Sequence, residues 1–415
     1  MRTKCGHVYL SLVLLSLLIL PGCWFWESNS PAQLFVPDTN NNRVLLYDSP
    51  SQNGQAATVV LGQSLFTTAA YTPVTAQSLF LPSGLAMDNA GNLYVSDSNN
   101  CRILQISPPF TTDKAANFAI GQPNLTTNTC PGVGGFYYPV GLAFDRNGNL
   151  WVADNVVSSQ VLKFDANSLT AANAASATPS QVIGTTNCTN TATAGGLCYP
   201  SGVAFDSSGN LWVSDTNNHR VLMFPSGNLV TGATPTFVLG QTVTSGSGVR
   251  YCNQSAGGSP ASASTLCRPS GIAFDSSGNL WVADSSNNRV LKYAKADLDS
   301  AISSQTNDVA ATLEVGQPAG SGAFTSNTPN NGGIGPSTLA YPLSAGFDNS
   351  GRLIVGDGAN NRILFFPSPF SNGMGATLVL GQPNFTTGTP NTPAPNWPPI
   401  PGTPSATNLS LEPIG

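Results

Sequence analysis

The hydrophobic positions of this 415-residue chain fall in short apolar runs separated by tight polar turns. In Leu211-Trp212-Val213 and Leu280-Trp281-Val282 consecutive positions are apolar, the pattern of a strand buried on both faces between neighbouring sheets. The runs belong to a longer phrase: YPSGVAFDSSGNLWVSDTNNHRVLMF at 199–224 returns as RPSGIAFDSSGNLWVADSSNNRVLKY at 268–293. Recurrence on this scale predicts an array of small equivalent units in place of independent domains.

Each unit reads as four strands. The first, P-x-G-h-A-h-D, runs Pro82–Asp88, Pro139–Asp145, Pro200–Asp206 and Pro269–Asp275, with a degenerate copy at Pro342–Asp348. The second ends at Asp38, Asp97, Asp154, Asp215, Asp284 and Asp357; the third begins at Arg43, Arg102, Arg220, Arg289 and Arg362. The fourth closes in V-L-G-Q at Gln63, Gln122, Gln241, Gln317 and Gln382, with Thr185 at that place in the third unit. Radial repetition of small four-stranded sheets is one way to protect strand edges, so the expected fold is all-β, a six-bladed β-propeller. The G-N-L-x-V-A-D-x-x-N-N-R-V segments resemble NHL repeats over roughly residues 34–385. That resemblance implies the propeller fold; its function is open, because the family includes enzymes, scaffolds and receptors.

The second-strand aspartates stand further apart than the ~40–50 residues of a compact blade, so each unit carries insertions. One set follows third strands, and Ala294–Ala311 among them predicts a short helix. The other lies between V-L-G-Q and the next P-x-G, as in Thr242–Arg268. In a propeller this second set shares a face, here called the loop face, with the D-x-x-N-N-R turns. The first unit lacks its P-x-G strand. The chain ends in Leu409-Ser410-Leu411-Glu412-Pro413-Ile414-Gly415, which echoes Ser78-Leu79-Phe80-Leu81-Pro82-Ser83-Gly84. The first blade is thus expected to be three-stranded or completed from the C terminus. The resulting division is a leader at 1–23, a tether at 24–33, the propeller at 34–386 and a Pro-rich segment at 387–415, the candidate for closing the ring.

Only 8% of residues are charged, while Gly and Pro number 42 and 32, which suits tight turns more than a helical bundle. A net charge of -5 gives nucleic acid no electrostatic footing. Arg2 and Lys4 precede an apolar stretch, Tyr9–Leu20, of the length of a secretory signal core, and Leu20-Pro21-Gly22-Cys23 resembles a bacterial lipobox with Cys23 as the lipidated residue. The expected location is therefore the cell envelope, with a lipid as the only membrane anchor.

Six further cysteines, Cys101, Cys130, Cys188, Cys198, Cys252 and Cys267, allow fifteen pairings in an oxidising compartment. Cys188 with Cys198 and Cys252 with Cys267 each bracket one loop, so local pairing is economical. Propeller geometry brings Cys101, in a turn, near Cys130, in the loop leaving the same blade. No C-x-x-C spacing argues for zinc.

Lactonase-like and lyase-like relatives hold a divalent cation or an acid–base pair in the central funnel, so the resemblance makes such an enzyme one expectation. The residues point elsewhere. Eleven of the twenty carboxylates occupy the two repeat positions, where Asp accepts backbone hydrogen bonds in turns, and the loops entering each blade between Ser64 and Tyr341 contain no Asp or Glu. His219 stands where other turns carry Asn42, Cys101, Asn288 and Asn361, a variable turn position rather than a catalytic base. Arg43, Arg102, Arg220, Arg289 and Arg362 are either an anion-capturing ring or, the favoured reading, each closes its own turn onto the Asp five positions earlier. The third blade breaks the rule, with Gln160 six positions after Asp154.

With Arg250, Arg268, Tyr137 and Tyr251, these arginines make up the candidate ligand face. Tyr138, Tyr199 and Tyr341 directly precede a blade-entry Pro and are expected to pack against the next blade. The favoured expectation is a non-enzymatic binding or assembly module that engages a protein or glycan through its loop face, without a cofactor.

Overall fold

The computed structural model describes residues 32–70, 73–185, 188, 195–242, 252, 260–320, 323–390 and 405–411, together with the backbone of Ile19–Leu20. They form six four-stranded antiparallel sheets arranged as the blades of a propeller. Each hydrophobic cluster spans two neighbouring blades, as where Trp212 meets Phe274 edge to face at 5.8 Å between ring centres. This is why the strands are apolar on both faces. The insertion after the fifth blade's third strand forms the expected helix, Lys295–Ser304, which buries Leu298 and Ala301.

The P-x-G strand is the innermost of its blade, and its glycine is dictated by the neighbour. A Cβ on Gly84 would lie 1.7 Å from Val140 O, one on Gly141 2.0 Å from Ser201 O, and one on Gly202 2.3 Å from Ser270 O. The inner strands thus meet backbone to backbone around the axis. The degenerate sixth copy has Ser344 at this position, and there the next blade presents no P-x-G strand among the described residues.

At the first blade's inner position two residues of the expected leader, Ile19–Leu20, pair with Leu34 and Gln33, and no other described residues take that place. The C-terminal residues 405–411 serve a different purpose. Leu409 and Leu411 are buried in the cluster joining the first and sixth blades, the Ser410 N–H donates to Asp38 Oδ1 at 2.7 Å, and Asn40 N–H donates to Ser410 O at 3.2 Å. Phe80 makes the same two bonds with Asp97 and Asn99 in the second blade. Leu409-Ser410-Leu411 therefore replaces Leu79-Phe80-Leu81, one residue out of register with the echo read from the sequence. The matching of prolines suggested the wrong offset, because hydrogen bonding and the buried Leu409 set the alignment.

Three disulfides are present, Cys101–Cys130, Cys188–Cys198 and Cys252–Cys267, the pairings expected from loop position. Disulfides persist in oxidising compartments, which marks the protein as extracytoplasmic. Among the described residues no helix is long and apolar enough to cross a membrane. Pro21, Gly22 and Cys23 of the lipobox lie outside the described residues.

Candidate functional site

Three sets of repeat bonds build the loop face. In the first, the aspartate ending each second strand is a fully buried hub. Asp97 accepts from Arg102 Nε at 2.7 Å, Asn100 Nδ2 at 2.9 Å and the Phe80 N–H at 2.6 Å; Asp215, Asp284, Asp357 and Asp38 repeat the pattern. Burial pushes these carboxyl groups up from their ordinary range, opposed by the partner guanidinium and by the N–H donors. The remaining guanidinium nitrogens donate to loop carbonyls, as Arg102 does to Thr75, Ser78 and Leu125. Arg43, Arg102, Arg220, Arg289 and Arg362 are accordingly 0% exposed. The anion-capturing ring is thus corrected: these arginines are turned into the wall between blades and offer no face to a ligand.

The third blade solves the same problem with different residues. Ser158 Oγ bonds Asp154 in place of the missing arginine, and Asp154 also takes the N–H groups of both Tyr137 and Tyr138. Glu314, a buried carboxyl the repeat does not share, accepts from the Phe324 N–H and faces Arg289 at 3.4 Å, so it too is structural.

The second set stitches each blade to the next. The residue after the hub aspartate donates to the carbonyl of the following blade's entry proline: Thr39 to Pro82, Ser98 to Pro139, Asn155 to Pro200, Thr216 to Pro269 and Ser285 to Pro342. The sixth blade has Gly358 there, and a Cβ on it would meet Tyr341 O at 2.8 Å. In the third set the turn residue before the third strand, held at positive φ, accepts the N–H of the residue at the entry to the next blade, which in most blades directly precedes the entry proline. Asn42 accepts from Leu81, Asn288 from Tyr341, Asn361 from Leu411 and Ser159 from Tyr199. His219 does the same through Nδ1, accepting the Arg268 N–H at 3.2 Å. The V-L-G-Q glutamine holds this turn from behind, as Gln122 Nε2 does at 3.0 Å from Cys101 O.

His219 also lies with Cys252 and Cys267 in a group whose ligand atoms are within 4.8 Å of one another. The two sulfurs are joined in a disulfide, and a histidine accepting through Nδ1 carries its proton on Nε2. The group therefore lacks the free donors a metal site needs. Burial, followed by the nearby Arg268 charge, pushes the His219 imidazole down to about 4, so at neutral pH it is uncharged.

Around the axis the inner strands enclose a cavity of ≈ 140 Å³. At its loop-face mouth stand Tyr199, Arg268 and Tyr341, the residues before three consecutive entry prolines. Where the first blade's inner strand is short, the wall is apolar, with Val36, Pro37, Leu343, Ile363 and Leu411. The wall carries no carboxylate, imidazole or thiol among the described residues, and Arg268 is its one charged side chain. To a divalent cation it offers only neutral oxygens, such as those of Asn155 and Asn217, with a guanidinium at the mouth, a poor match to the divalent-cation alternative.

Of the candidate ligand face, the structure brings Arg268 to this mouth. Tyr137 is half-buried with its N–H on Asp154 and is not on the cavity wall, while Arg250 and Tyr251 lie outside the described residues. Tyr138 packs beside the cluster joining the third and fourth blades, as expected. Tyr199 and Tyr341 depart from that expectation, since both line the cavity. Their shared position with Arg268 one residue before the entry proline was the available signal.

These features define a six-bladed propeller of repeated Asp–Arg-stapled blades around an aromatic-rimmed channel. The chain is an NHL-repeat β-propeller protein: the NHL repeat model matches residues 81–106, 136–164, 197–224 and 266–293. No curated protein matches it at a significant level. Solved structures that resemble it include a luciferin-regenerating enzyme (14% identity, 80% of this chain and 82% of that one, TM-score 0.45). A gluconolactonase from Xanthomonas campestris (15%, 78% and 79%, 0.42) and virginiamycin B lyase from Staphylococcus aureus (13%, 74% and 72%, 0.40) are also similar. Likeness at this level transfers no chemistry.

Proposed function

We propose that this protein is a non-catalytic binding module of the cell envelope, held there through Cys23, whose loop face and funnel mouth engage a partner molecule. The observation that carries the reading is the composition of the funnel wall. Among the described residues it offers aromatic and apolar surface with one cation, and no carboxylate or imidazole to move a proton near neutral pH. The carboxylates that a catalytic reading would recruit are spent inside the blades, fully buried on Arg and Asn.

The test is a thermal-shift fractionation of envelope extract, followed by mass spectrometry of the component that raises the Tm. A binding module returns that component unchanged, and Tyr199→Ala with Tyr341→Ala abolishes the shift. Conversion of the component to a product would establish the enzymatic alternative, and an unaltered shift in the double variant would move the site away from the funnel.

A further inference from the structure

Resting on that reading, we propose that the funnel mouth binds a monocarboxylate on an apolar body, its carboxylate held by Arg268 between Tyr199 and Tyr341 and its body against Val36, Leu343 and Leu411. Four observations lead there. First, the repeat does not require an arginine at position 268. The equivalent residue is Leu81 in the second blade and Leu411 at the closure, and Leu81 has the same left-handed backbone, with φ 49° against 50° for Arg268. The backbone bond to His219 is made by the N–H, which any residue but proline supplies.

Second, Arg268 is unspent where the five repeat arginines are saturated. Its Nε is buried without a hydrogen-bond partner among the described residues, while the side chain as a whole is only half-buried. A guanidinium with free donors at a cavity mouth is a ready fork for a carboxylate. Third, it is the only charge on the wall among the described residues, so it neutralises one negative charge. A doubly charged phosphate would leave the second uncompensated in a protein of net charge -5.

Fourth, the neutral polar groups of the wall are mostly committed to the fold. Thr39, Asn155, Thr216 and Ser285 donate to entry-proline carbonyls, and Ser270 donates to Leu343 O at 2.8 Å. A neutral or polyhydroxylated ligand would find few donors, whereas an apolar body needs none. Together these select a ligand with one anionic head and a CH-rich remainder, whether a free apolar acid or the C-terminal carboxylate of a peptide ending in an apolar side chain.

The experiment uses paired probes on the full chain, measured by calorimetry: octanoate against octanamide, and acetyl-Gly-Val-Leu acid against its C-terminal amide. At least one acid is expected to bind about tenfold or more tightly than its amide, and Arg268→Gln to erase the difference while Arg268→Lys retains part of it. Which acid binds distinguishes the two sources. His219 supplies a readout that general hydrophobic association would not move: neutralising Arg268 should raise the imidazole pKa from about 4, read from its ring resonances and assigned with His219→Asn. Acid and amide binding equally, digalacturonate binding in preference to both acids, or no binding by either acid would each overturn the proposal. None of these outcomes decides whether the envelope component of the preceding test is bound and returned unchanged, so the two readings fail separately.

Discussion

His219 and Arg268 are joined across a blade boundary: the imidazole Nδ1 of the first accepts the backbone N–H of the second at 3.2 Å. The bond requires an unprotonated Nδ1. It makes a histidine do what asparagine does at Asn42, Asn288 and Asn361.

A pH dependence follows. The folded imidazole is lowered to about 4 from an ordinary value of 6.5, so between those values the unfolded chain binds the proton more strongly. Stability from this group is complete above pH 6.5 and is lost as pH falls toward 4, by up to roughly 3 kcal/mol. His219→Asn keeps the acceptor and removes the titration. Urea denaturation of both proteins from pH 4 to 7 should show the variant's curve flattened in that window; parallel curves would refute the assignment.

The buried staples should differ sharply from a peripheral pair of the same chemistry. Arg102→Met strands Asp97 without its cation and is expected to cost about 3–5 kcal/mol. Arg352→Met, at a pair whose arginine side chain is 30% exposed, should cost about 1 kcal/mol or less. Chemical denaturation of the two variants side by side measures the contrast.

Glycine in the P-x-G strand should matter only where a neighbouring inner strand presses on it. Gly202→Ala puts a methyl 2.3 Å from Ser270 O and should destabilise by about 2–3 kcal/mol or prevent folding. Ser344→Gly in the sixth blade should shift stability by less than about 1 kcal/mol. Melting temperatures and expression yields of both variants check this, and equal effects would mean that the inner strands are not in backbone contact.

Ring closure depends on a few C-terminal residues. Leu409 is 0% exposed between the first and sixth blades, so Leu409→Ala should cost about 2–5 kcal/mol. Hydrogen exchange should show the loss concentrated at Leu34–Asp38 and Leu378–Leu380, the strands it bridges. Uniform loss around the ring would instead indicate a general defect.

The sequence by itself determined the blade. The apolar runs, the P-x-G entry, the paired Asp and Arg and the glutamine of V-L-G-Q recur because each satisfies a local bonding demand that nearly every blade repeats, and a demand met that often is legible as a pattern. It also suggested the disulfide pairs, since the cysteines bracket single loops or share one face, although fifteen pairings stayed open until the structure joined them. The tertiary structure decided the rest, because those features depend on contacts between blades that no period records. Ser344 in place of glycine and Gly358 in place of a hydroxyl look like decay in the sequence, yet both face the blade that has no P-x-G strand among the described residues. The offset of Leu409 was set by hydrogen bonds to Asp38 and Asn40, far away along the chain. Tyr199, Arg268 and Tyr341 become one site only because closing the ring brings three successive blade entries to the same mouth.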